Sequence, residues 1–484
     1  MRVLKRASTQ ERGFTLRVQR STSGSRFAVT TDGRGASGRA GLALLAEVAD
    51  RLGLTAALSR ATGASRSWSR HDPGVVLRDV LLMLVDGGDA LRHMSVLAGQ
   101  PALFGAPASA ATTCRTLKAV AADADAMAGL ATARKDTRAR VWALGGTPPE
   151  VTAARARERG EEPSEPDEPL VIDLDATICI AHSEDKDGAA ATYKHTWGFH
   201  PLLAYLDRGD GRGEALAGRL RPGNAGSNHA GDHIAVFDDA RAQLPALPER
   251  LERLVRCDAA GATHDLLAHV VAQGWRFSVS FPLYEAVRAA IRALPEERWT
   301  AATDRQGEPR TNAAVAELTA DVDLAGWPAG ARLLVRREPL HPGAQQTFDD
   351  VDGYRFTCLL TNQPGEELAR LEQRHRARAH VEDWIRAAKD MGLRTLPLDS
   401  FARNALWLQL VLAAQDLMWC TQVLTLTADE LRLAEPQQLR YKLLHLPARL
   451  TRHARRWNLR LQHNWPWAAA LRDAFQRLRA LPAG

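Results

Sequence analysis

The spacing of apolar residues changes abruptly about a third of the way along the chain. From Gly41 to about Ala143 they recur three and four positions apart, as in GLALLAEVADRLGLTAALSRA, a pattern that predicts helices. The stretch EEPSEPDEPL at 161–170 is acidic and rich in proline, as interdomain linkers are. LVIDLDATICIA then alternates aliphatic and polar residues and predicts a strand. We expect an all-α N-terminal domain over 1–150, a linker over 151–169 and an α/β domain after it.

The α/β part presents its strands and helices in a recognisable order. GFHPLLAYLD and EALAGRLRPG are strand-like, a helix follows from about Ala230 to Gln243, and then come RLVRCDAAG, a second helix and WRFSVSFPL. Three strands, a helix, then strand, helix and strand is the order of the ribonuclease H-like fold, a mixed sheet flanked by helices. We expect this core in two parts, over 170–283 and 357–430. Short strand candidates between them predict a β-rich insertion over 284–356.

The last segment, 431–484, is strongly basic, with eleven Lys or Arg and only two acidic residues. Among the arginines lie three tryptophans, Trp457, Trp465 and Trp467. Arginine forks beside aromatic rings suit phosphate contact and base stacking, so Arg455 and Arg456 are candidate DNA contacts. The alternative is a solvated pair of amphipathic helices with the tryptophans in their core. On either interpretation, we expect this segment to be helical.

Simple features exclude several classes of protein. The longest apolar stretches are far shorter than a membrane span. The N-terminal residues MRVLKRASTQERGF lack the apolar core of a secretory signal. The five cysteines are scattered and include no CxxC pair, so neither a zinc ribbon nor a disulfide framework is indicated. We expect a protein of the cytoplasm.

Two aspartates stand where predicted strands end. Asp175 lies at the DAT turn after the first strand, and Asp258 closes the fourth strand in VRCDAAG. Either one alone is typical of an aspartate that caps a turn. In the ribonuclease H-like topology, however, the first and fourth strands are neighbours. Their ends would bring the two carboxylates within metal-bridging distance.

A third carboxylate, Glu382, lies in the charged helix HRARAHVEDWIRAAKD. His375, Arg378, Glu382 and Lys389 are separated by three, four and seven residues, which places them on one face of a helix. A solvated, salt-bridged face is the ordinary interpretation of such spacing. The occurrence of all three carboxylates in this order favours a functional one.

These motifs together resemble bacterial insertion-sequence transposases of the group usually called the IS thirteen-eighty family, within the larger IS-four-like assemblage. The signature of that assemblage is Tyr, two residues, Arg, three residues, Glu, six residues, Lys. Here it reads His375, Arg378, Glu382, Lys389, with His in place of Tyr. VIDLDAT, GFHPLLAYLD, LAGRLRPGNAGSNHAGDHI and VRCDAAG are similar to the family as well. The resemblance spans about residues 25–470.

The resemblance implies a transposase of the three-carboxylate (DDE) type, which cleaves DNA at element ends and joins it to target DNA. Asp175, Asp258 and Glu382 would be the catalytic residues and would hold two Mg²⁺ or Mn²⁺ ions, for which oxygen ligands are suited. The side chains of Arg378 and Lys389 would bind the phosphate near the scissile bond. A His can donate to phosphate as Tyr can, so the signature's first residue would also contact DNA, with a charge that follows pH.

The partners implied are double-stranded DNA, as terminal inverted repeats and as target, and a second copy of the chain in the DNA complex. The helices within 1–150 would bind the repeats. AEVADRLGLTAAL, with Gly53 at its turn, resembles a helix-turn-helix, although any helical hairpin with a glycine has this pattern. A transposase of this group would be associated with the bacterial nucleoid.

Some assignments stay open. Asp173 competes with Asp175, since it lies two residues earlier on the same face of the strand, although the family's catalytic Asp stands directly before a small residue and Thr. Trp299 and Trp327 could stack on a nucleotide near the cut or belong to the core. The glycine-rich loop RPGNAGSNHAGDHI could line the DNA path or cap the next helix. Its polar candidates are Asn224, Asn228 and His233.

Two other functions compete with transposition. One is a ribonuclease H-like nuclease without strand transfer, which would need neither the β-rich insertion nor the basic tail. The other is a transposase-derived protein that binds DNA without cutting it. All three acidic positions are filled, which disfavours the second alternative.

Overall fold

A computed structural model describes residues 35–63, 70–163, 168–340, 343, 350, 353–365, 367–454 and 456–482. Its α-helices are α1 (Ala40–Arg51), α2 (Leu54–Ala61), α3 (Pro73–Val85), α4 (Ser95–Ala98), α5 (Pro101–Phe104), α6 (Ala110–Ala121), α7 (Ala124–Val141), α8 (Pro149–Glu158), α9 (Ala230–Ala242), α10 (His264–Ala272), α11 (Glu285–Ala293), α12 (Leu368–Arg376), α13 (His380–Ala388), α14 (Phe401–Thr425), α15 (Asp429–Arg432), α16 (Pro436–Leu439) and α17 (Ala468–Ala480). Across these ranges, no helix has the length and apolar character needed to cross a membrane.

The β-strands are β1 (Ala36–Ser37), β2 (Leu170–Ala176), β3 (Cys179–Ile180), β4 (Ala190–Ala191), β5 (Trp197–Phe199), β6 (Leu202–Asp207), β7 (Gly213–Arg219), β8 (Arg253–Cys257), β9 (Arg276–Phe281), β10 (Thr300–Thr303), β11 (Pro309–Glu317), β12 (Arg332–Pro339), β13 (Tyr354–Thr361), β14 (Ala448–His453) and β15 (Arg456–Leu461). They form three sheets. The chain is a mixed α/β protein organised around the largest of them.

Nine strands form the central sheet, in the order β10-β11-β12-β13-β9-β8-β2-β6-β7. β2, β8 and β9 run parallel to one another, and every other neighbouring pair is antiparallel. Central strands are nearly continuous buried runs, such as LLAYLD in β6, because α9 packs on β6 and β7, α14 on β7, and α10 on β9. The five strands and two helices expected between residues 170 and 283 are present in the expected order.

The region expected to form a separate β-rich insertion extends this sheet. After α11, strands β10 to β13 pair in antiparallel succession, and β13 pairs with β9, where Cys358 lies opposite Phe281. α12 packs against all three of β10, β11 and β12. β13 crosses the expected boundary at 356 and ends at Thr361. The four strands are therefore part of the central sheet and not a unit of their own.

Helices from both ends of the chain pack on one long helix, α14. α1, α3, α6 and α7 contact it from the N-terminal part and α17 from the C-terminal part, and their apolar side chains share one core with the sheet. Arg138 of α7 is buried there between Glu214 of β7 (3.0 Å) and Asp416 of α14 (2.9 Å). The stretch 151–169, expected to be a linker, begins inside α8, where Val151 is buried. The N-terminal helices are thus joined to the sheet by apolar contacts and by charge.

A second sheet, of order β1-β14-β15, joins the two ends of the chain. Ala36 of β1 lies opposite Arg449 of β14, and the Leu450 N–H donates to the Gly35 carbonyl at 2.7 Å. The segment 431–484, expected to be helical, therefore contains a β-hairpin between α16 and α17. Its strands, ARLTRH and RWNLRL, are short, and arginine at most polar positions obscures their alternation. A third, small sheet of order β3-β5-β4 directly follows β2.

Candidate active site

Parallel pairing of β2 and β8 brings two aspartates together. Leu174 of β2 lies beside Cys257 of β8, and continuing this register by one residue places Asp175 beside Asp258. An Asp258 Oδ1 oxygen accepts from the Ala260 N–H at 3.0 Å, so Asp258 also caps the short turn that follows β8. The turn-capping role expected for an isolated aspartate is present, and it leaves the second carboxylate oxygen for other ligands.

The third carboxylate reaches the same end of β2 from a helix. α13 packs against β2, and Glu382 lies exposed in the first turn of α13. Burial raises the pKa of Asp175 to about 7; the Arg378 guanidinium opposes this rise, and the negative charges of Asp258 and Glu382 add to it. The three carboxylates are therefore electrostatic neighbours, although they come from three separate elements.

The three carboxylates do not converge on a single point. Among the residues that the structure describes, no group of three or more His, Cys, Asp or Glu side chains is close enough together to hold a metal ion. The donors at the end of β2 are nevertheless all oxygens, the ligands that Mg²⁺ and Mn²⁺ prefer. Because the Glu382 side chain is exposed, it can change rotamer and so move its carboxylate. The chemistry of the donor set fits a hard divalent cation.

Two basic side chains flank the carboxylates. The Arg378 Nη1 atom lies 3.9 Å from an Asp175 oxygen, too far for a hydrogen bond, with the two side chains 19% and 14% exposed. Lys389 is half-buried near Cys179, in the segment after Asp175; burial raises the pKa of that thiol to about 12 and the lysine charge opposes the rise. Both cations are thus placed beside the end of β2.

The helix that carries these residues is not one regular α-helix. A 3₁₀ turn at Ala377–Ala379 separates α12 from α13, and a π turn at Lys389–Leu393 follows. The expectation that all four signature residues share one helical face needs correction, since each lies in a different local geometry. His375 is buried on α12, whereas Glu382 is exposed on α13.

His375 is held inside the protein. Its Nδ1 lies 2.9 Å from the Ser278 hydroxyl and its Nε2 lies 3.1 Å from the Ser280 hydroxyl, both on β9. Burial and, to a smaller extent, the charge of Arg378 lower the pKa of His375 to about 3. The ring is neutral near pH 7 and both nitrogens are engaged. The sequence predicted that His375 would contact phosphate with a charge that follows pH, and this placement does not provide such a contact. Instead, His375 anchors α12 to β9 next to Arg378.

Asp173 is occupied by another partner. Arg256 of β8 donates to its two oxygens at 2.8 and 2.6 Å and also to Asp207 of β6 at 2.6 Å. The Asp173 side chain is fully buried, whereas that of Asp175 is partly exposed. Asp175 is accordingly the carboxylate of β2 that remains available to a ligand.

The polar loop at 221–234 borders the aspartates. The sequence did not predict two of its contacts, that of Arg221 with His200 and that of His233 with His229. Buried His200, just before β6, feels the charge of Asp258, and its carbonyl accepts from Arg221 Nε at 2.9 Å. His233 is buried, with Nδ1 3.1 Å from the His229 carbonyl, whereas Asn224 and Asn228 of the same loop are exposed. The start of β6 lies opposite the end of β2, so antiparallel pairing alone was a signal that could have identified His200.

The aromatic candidates of the sheet extension already contact protein side chains. Trp299 is half-buried against Phe356, and the Arg337 guanidinium lies 4.4 Å from its ring centre. Trp327 stacks on His264 with ring centres 4.0 Å apart. Both rings therefore have a packing role, and their contact with a nucleotide stays a prediction.

The remaining candidates lie far along the chain from the carboxylates. Arg456 is exposed on β15, while Arg455 lies outside the described residues. Gly53, at the turn of the helix-turn-helix candidate, has a positive φ of 78° and joins α1 to α2. Both helices are packed into the core on their apolar faces, and the exposed residues Glu47 and Asp50 of α1 are acidic. On α2, Arg60 is exposed and basic, and DNA binding by this pair of helices stays a prediction.

Comparison with known families identifies one relationship. Residues 19–483 match the family described as Transposase DDE domain group 1. No curated protein matches the sequence significantly.

Proposed function

The chain belongs to the DDE transposase family, and from this premise we propose that it cleaves DNA at the ends of its own element and transfers the freed strands into target DNA. Enzymes of this family break a phosphodiester bond and form a new one by transesterification, so DNA is the substrate. We propose that these steps together make up cut-and-paste transposition. Motif similarity supports a place within the IS thirteen-eighty group.

One observation carries the proposal: carboxylates at the end of β2, at the end of β8 and on α13 lie close enough for the charges of Asp258 and Glu382 to act on Asp175. We propose that Asp175, Asp258 and Glu382 are the catalytic residues and hold two Mg²⁺ or Mn²⁺ ions. Repulsion among the three negative charges contributes to the raised pKa of Asp175, and it is the repulsion that bound divalent cations would relieve. Such ions, when bound, activate the attacking oxygen and stabilise the leaving oxygen of an in-line displacement at phosphorus.

The flanking cations have a separate role in this proposal. Arg378 and Lys389 bind the phosphate next to the scissile bond, because a guanidinium and an ammonium beside the carboxylates offset the charge of the DNA backbone. His375 keeps α12 against β9 and so positions Arg378.

We further propose that β2, β6 to β9, α9 and α10 form a ribonuclease H-like core. The support is the strand order β7-β6-β2-β8-β9, with the last three strands parallel. In this arrangement the ends of β2 and β8 lie side by side, as a two-aspartate site requires. The β10–β13 extension continues the sheet beyond β9, and α12 packs against three of its strands.

The hairpin of β14 and β15 is the part of the C-terminal segment that we propose as a DNA contact. It carries four exposed arginines, Arg449, Arg452, Arg456 and Arg460. None of the four has a carboxylate partner within the described part of the chain, whereas most arginines near the core are paired. Trp457 is 58% exposed, with the Arg452 guanidinium 5.8 Å from its ring centre. An uncompensated basic ribbon complements a phosphate backbone.

We extend the proposal to the biological context. The DNA ligands are the terminal inverted repeats and the target, the active species on DNA is a homodimer, and the protein resides with the nucleoid. We propose the hairpin as a duplex contact in addition to the N-terminal helices.

A cleavage assay with a charge-neutral variant tests the function. Purified protein is incubated with Mg²⁺ and a labelled duplex that carries the element end, and Glu382→Gln is compared with wild type. We expect cleavage to fall by about a thousandfold or more, because a metal ligand is lost, while DNA binding is retained. The matched control is Asp383→Asn, an exposed neighbour on the same helix that pairs with Arg386 (2.9 Å) and should cleave normally.

The same assay separates the competing functions. Cleavage followed by joining to a target plasmid supports transposition, and cleavage without joining indicates a nuclease. Binding without cleavage by the wild type indicates a non-cutting derivative. Equal cleavage by Glu382→Gln and wild type would remove the three-carboxylate site from consideration.

A further inference from the structure

A turn that the sequence motifs did not single out projects beside the carboxylates. It joins β4 to β5 and comprises Thr192–Thr196, here called the Tyr193 turn. β5 pairs with β3, which begins three residues after β2 ends, so the turn is tethered to the strand that carries Asp175. The Tyr193 ring centre lies 5.8 Å from that of His200, and His200 in turn feels the charge of Asp258. The turn therefore stands at the edge where the proposed site lies.

The backbone of the turn is fixed and its tip is turned outward. The Thr192 N–H donates to the Thr196 carbonyl at 2.7 Å, the His195 N–H donates to the Thr192 carbonyl at 3.0 Å, and the two threonine hydroxyls lie 2.7 Å apart. His195 has a φ of 57°, a conformation that non-glycine residues adopt only in tightly held turns. Three consecutive side chains, Tyr193, Lys194 and His195, are exposed as a result.

The base of the turn is packed closely against the polar loop that borders the aspartates. A side chain at Gly223 would collide with the backbone of Ala190 in β4 and of Gly198 in β5. Phe199 also forms a β-bridge with Pro222 of this loop. Because both sides of the turn are held, its tip keeps a constant position relative to the end of β2.

The tip has the composition of a nucleic-acid contact. The Tyr193 side chain is 67% exposed, so its ring is open to contact with a ligand. Lys194 has no carboxylate partner among the described residues, and its ammonium lies 5.7 Å from the Tyr193 ring centre. An aromatic face beside an unpaired cation is the combination with which proteins bind unpaired bases and their phosphates.

We propose that the Tyr193 turn positions the DNA strand next to the scissile phosphate. The Lys194 ammonium binds a backbone phosphate, and the Tyr193 ring stacks on a neighbouring base that has left the duplex. This inference rests on the proposed function, since it requires DNA at the end of β2. It assigns to the turn a positioning role that the three carboxylates and their flanking cations do not supply.

The test uses the full-length protein and an element-end duplex with 2-aminopurine beside the cleavage site. Single-turnover cleavage at saturating DNA and the rise in 2-aminopurine fluorescence on binding are measured for Tyr193→Ala and Tyr193→Phe. We expect Tyr193→Ala to cleave roughly tenfold to a hundredfold more slowly and to lose the fluorescence rise, because one stacked base is released. Tyr193→Phe keeps the ring and should retain both signals. Lys194→Met should lower the salt dependence of binding by about one phosphate contact.

Val271→Ala is the control, because Val271 is an exposed apolar side chain on α10, a helix to which no DNA contact is assigned; it should cleave at the wild-type rate. Wild-type cleavage and fluorescence for Tyr193→Ala would overturn the proposal. Equal losses in Tyr193→Ala and Tyr193→Phe would also overturn it, since the hydroxyl and not the stacked ring would then be needed. Loss of cleavage in Glu382→Gln together with normal cleavage in Tyr193→Ala refutes only the turn's role, whereas normal cleavage in Glu382→Gln refutes the proposed site itself.

Discussion

β2 carries two aspartates, two residues apart, in opposite surroundings. Asp173 receives two hydrogen bonds from Arg256, and the same guanidinium binds Asp207. Asp175, in contrast, has two further carboxylates near it, and the Arg378 guanidinium lies 3.9 Å away, too far for a hydrogen bond. A buried carboxylate whose hydrogen bonds are satisfied by arginine is part of the scaffold, whereas one with acidic neighbours and few donors is suited to bind a cation.

The largest effect expected from this contrast is on cleavage. Asp175→Asn preserves the shape of the side chain and removes its charge, so we expect cleavage to fall by about a thousandfold or more with no decrease in the unfolding free energy. Asp173→Asn should instead lower the unfolding free energy by about 1–3 kcal/mol, because the buried guanidinium loses a charged acceptor. Single-turnover cleavage and urea unfolding of both variants check this. A stable, inactive Asp173→Asn beside an active Asp175→Asn would exchange the roles of the two residues.

The two arginines should differ in the same way. Arg256→Met leaves two buried carboxylates without their donor, and we expect a loss of about 3–5 kcal/mol in unfolding free energy. Arg378→Met removes a partly exposed guanidinium that makes no close hydrogen bond to Asp175, so its effect on stability should be below about 1 kcal/mol. The Arg378→Met substitution should instead lower the rate of DNA cleavage. Urea unfolding distinguishes the two variants, and similar losses in both would contradict the contrast.

The smallest effect concerns pH in the absence of metal. The pKa of Asp175 is raised to about 7 in the folded protein from about 3.8, so the folded state binds the proton more tightly. This proton stabilises the fold below about pH 4, and its contribution is lost as the pH rises from there through about 7. Relative to Asp175→Asn, wild-type protein should lose about 1–3 kcal/mol across that window. The comparison with Asp175→Asn cancels the contribution of Asp173. If the unfolding free energies of the two proteins depended on pH in the same way, the pKa of Asp175 would not be raised in the folded protein.

Local pattern predicted the central part of the fold well. β2, β6, β7, β8 and β9 were predicted because each is a buried run bounded by turn residues. The membership of β10 to β13 in the same sheet was not predicted, because it depends on the pairing of Cys358 with Phe281 across many residues. The β14–β15 hairpin was missed because its strands are short and four of their seven polar positions are arginine.

The same limit applies to the site. The three carboxylates were predicted from strand ends and helical spacing, and the proximity of Asp175 to Asp258 follows from strand register. The occupation of Asp173 by Arg256 is a side-chain contact between two strands, and no local pattern contains it. The burial of His375 between two serines of β9 is equally non-local, so its neutral state could not be anticipated from its place in the signature.

The pairing of β1 with β14 has a consequence for synthesis. Ala36 and its partner Arg449 are separated by about 410 residues, so a ribosome working at about 5–20 residues per second adds the partner roughly 20–80 s after Ala36. During that interval, β1 lacks the strand that it pairs with in the finished protein. The basic hairpin is synthesised long after β1, and a chain truncated before the hairpin would also leave β1 without a partner. Closure of this sheet thus makes synthesis through β14 and β15 a condition for the pairing of β1.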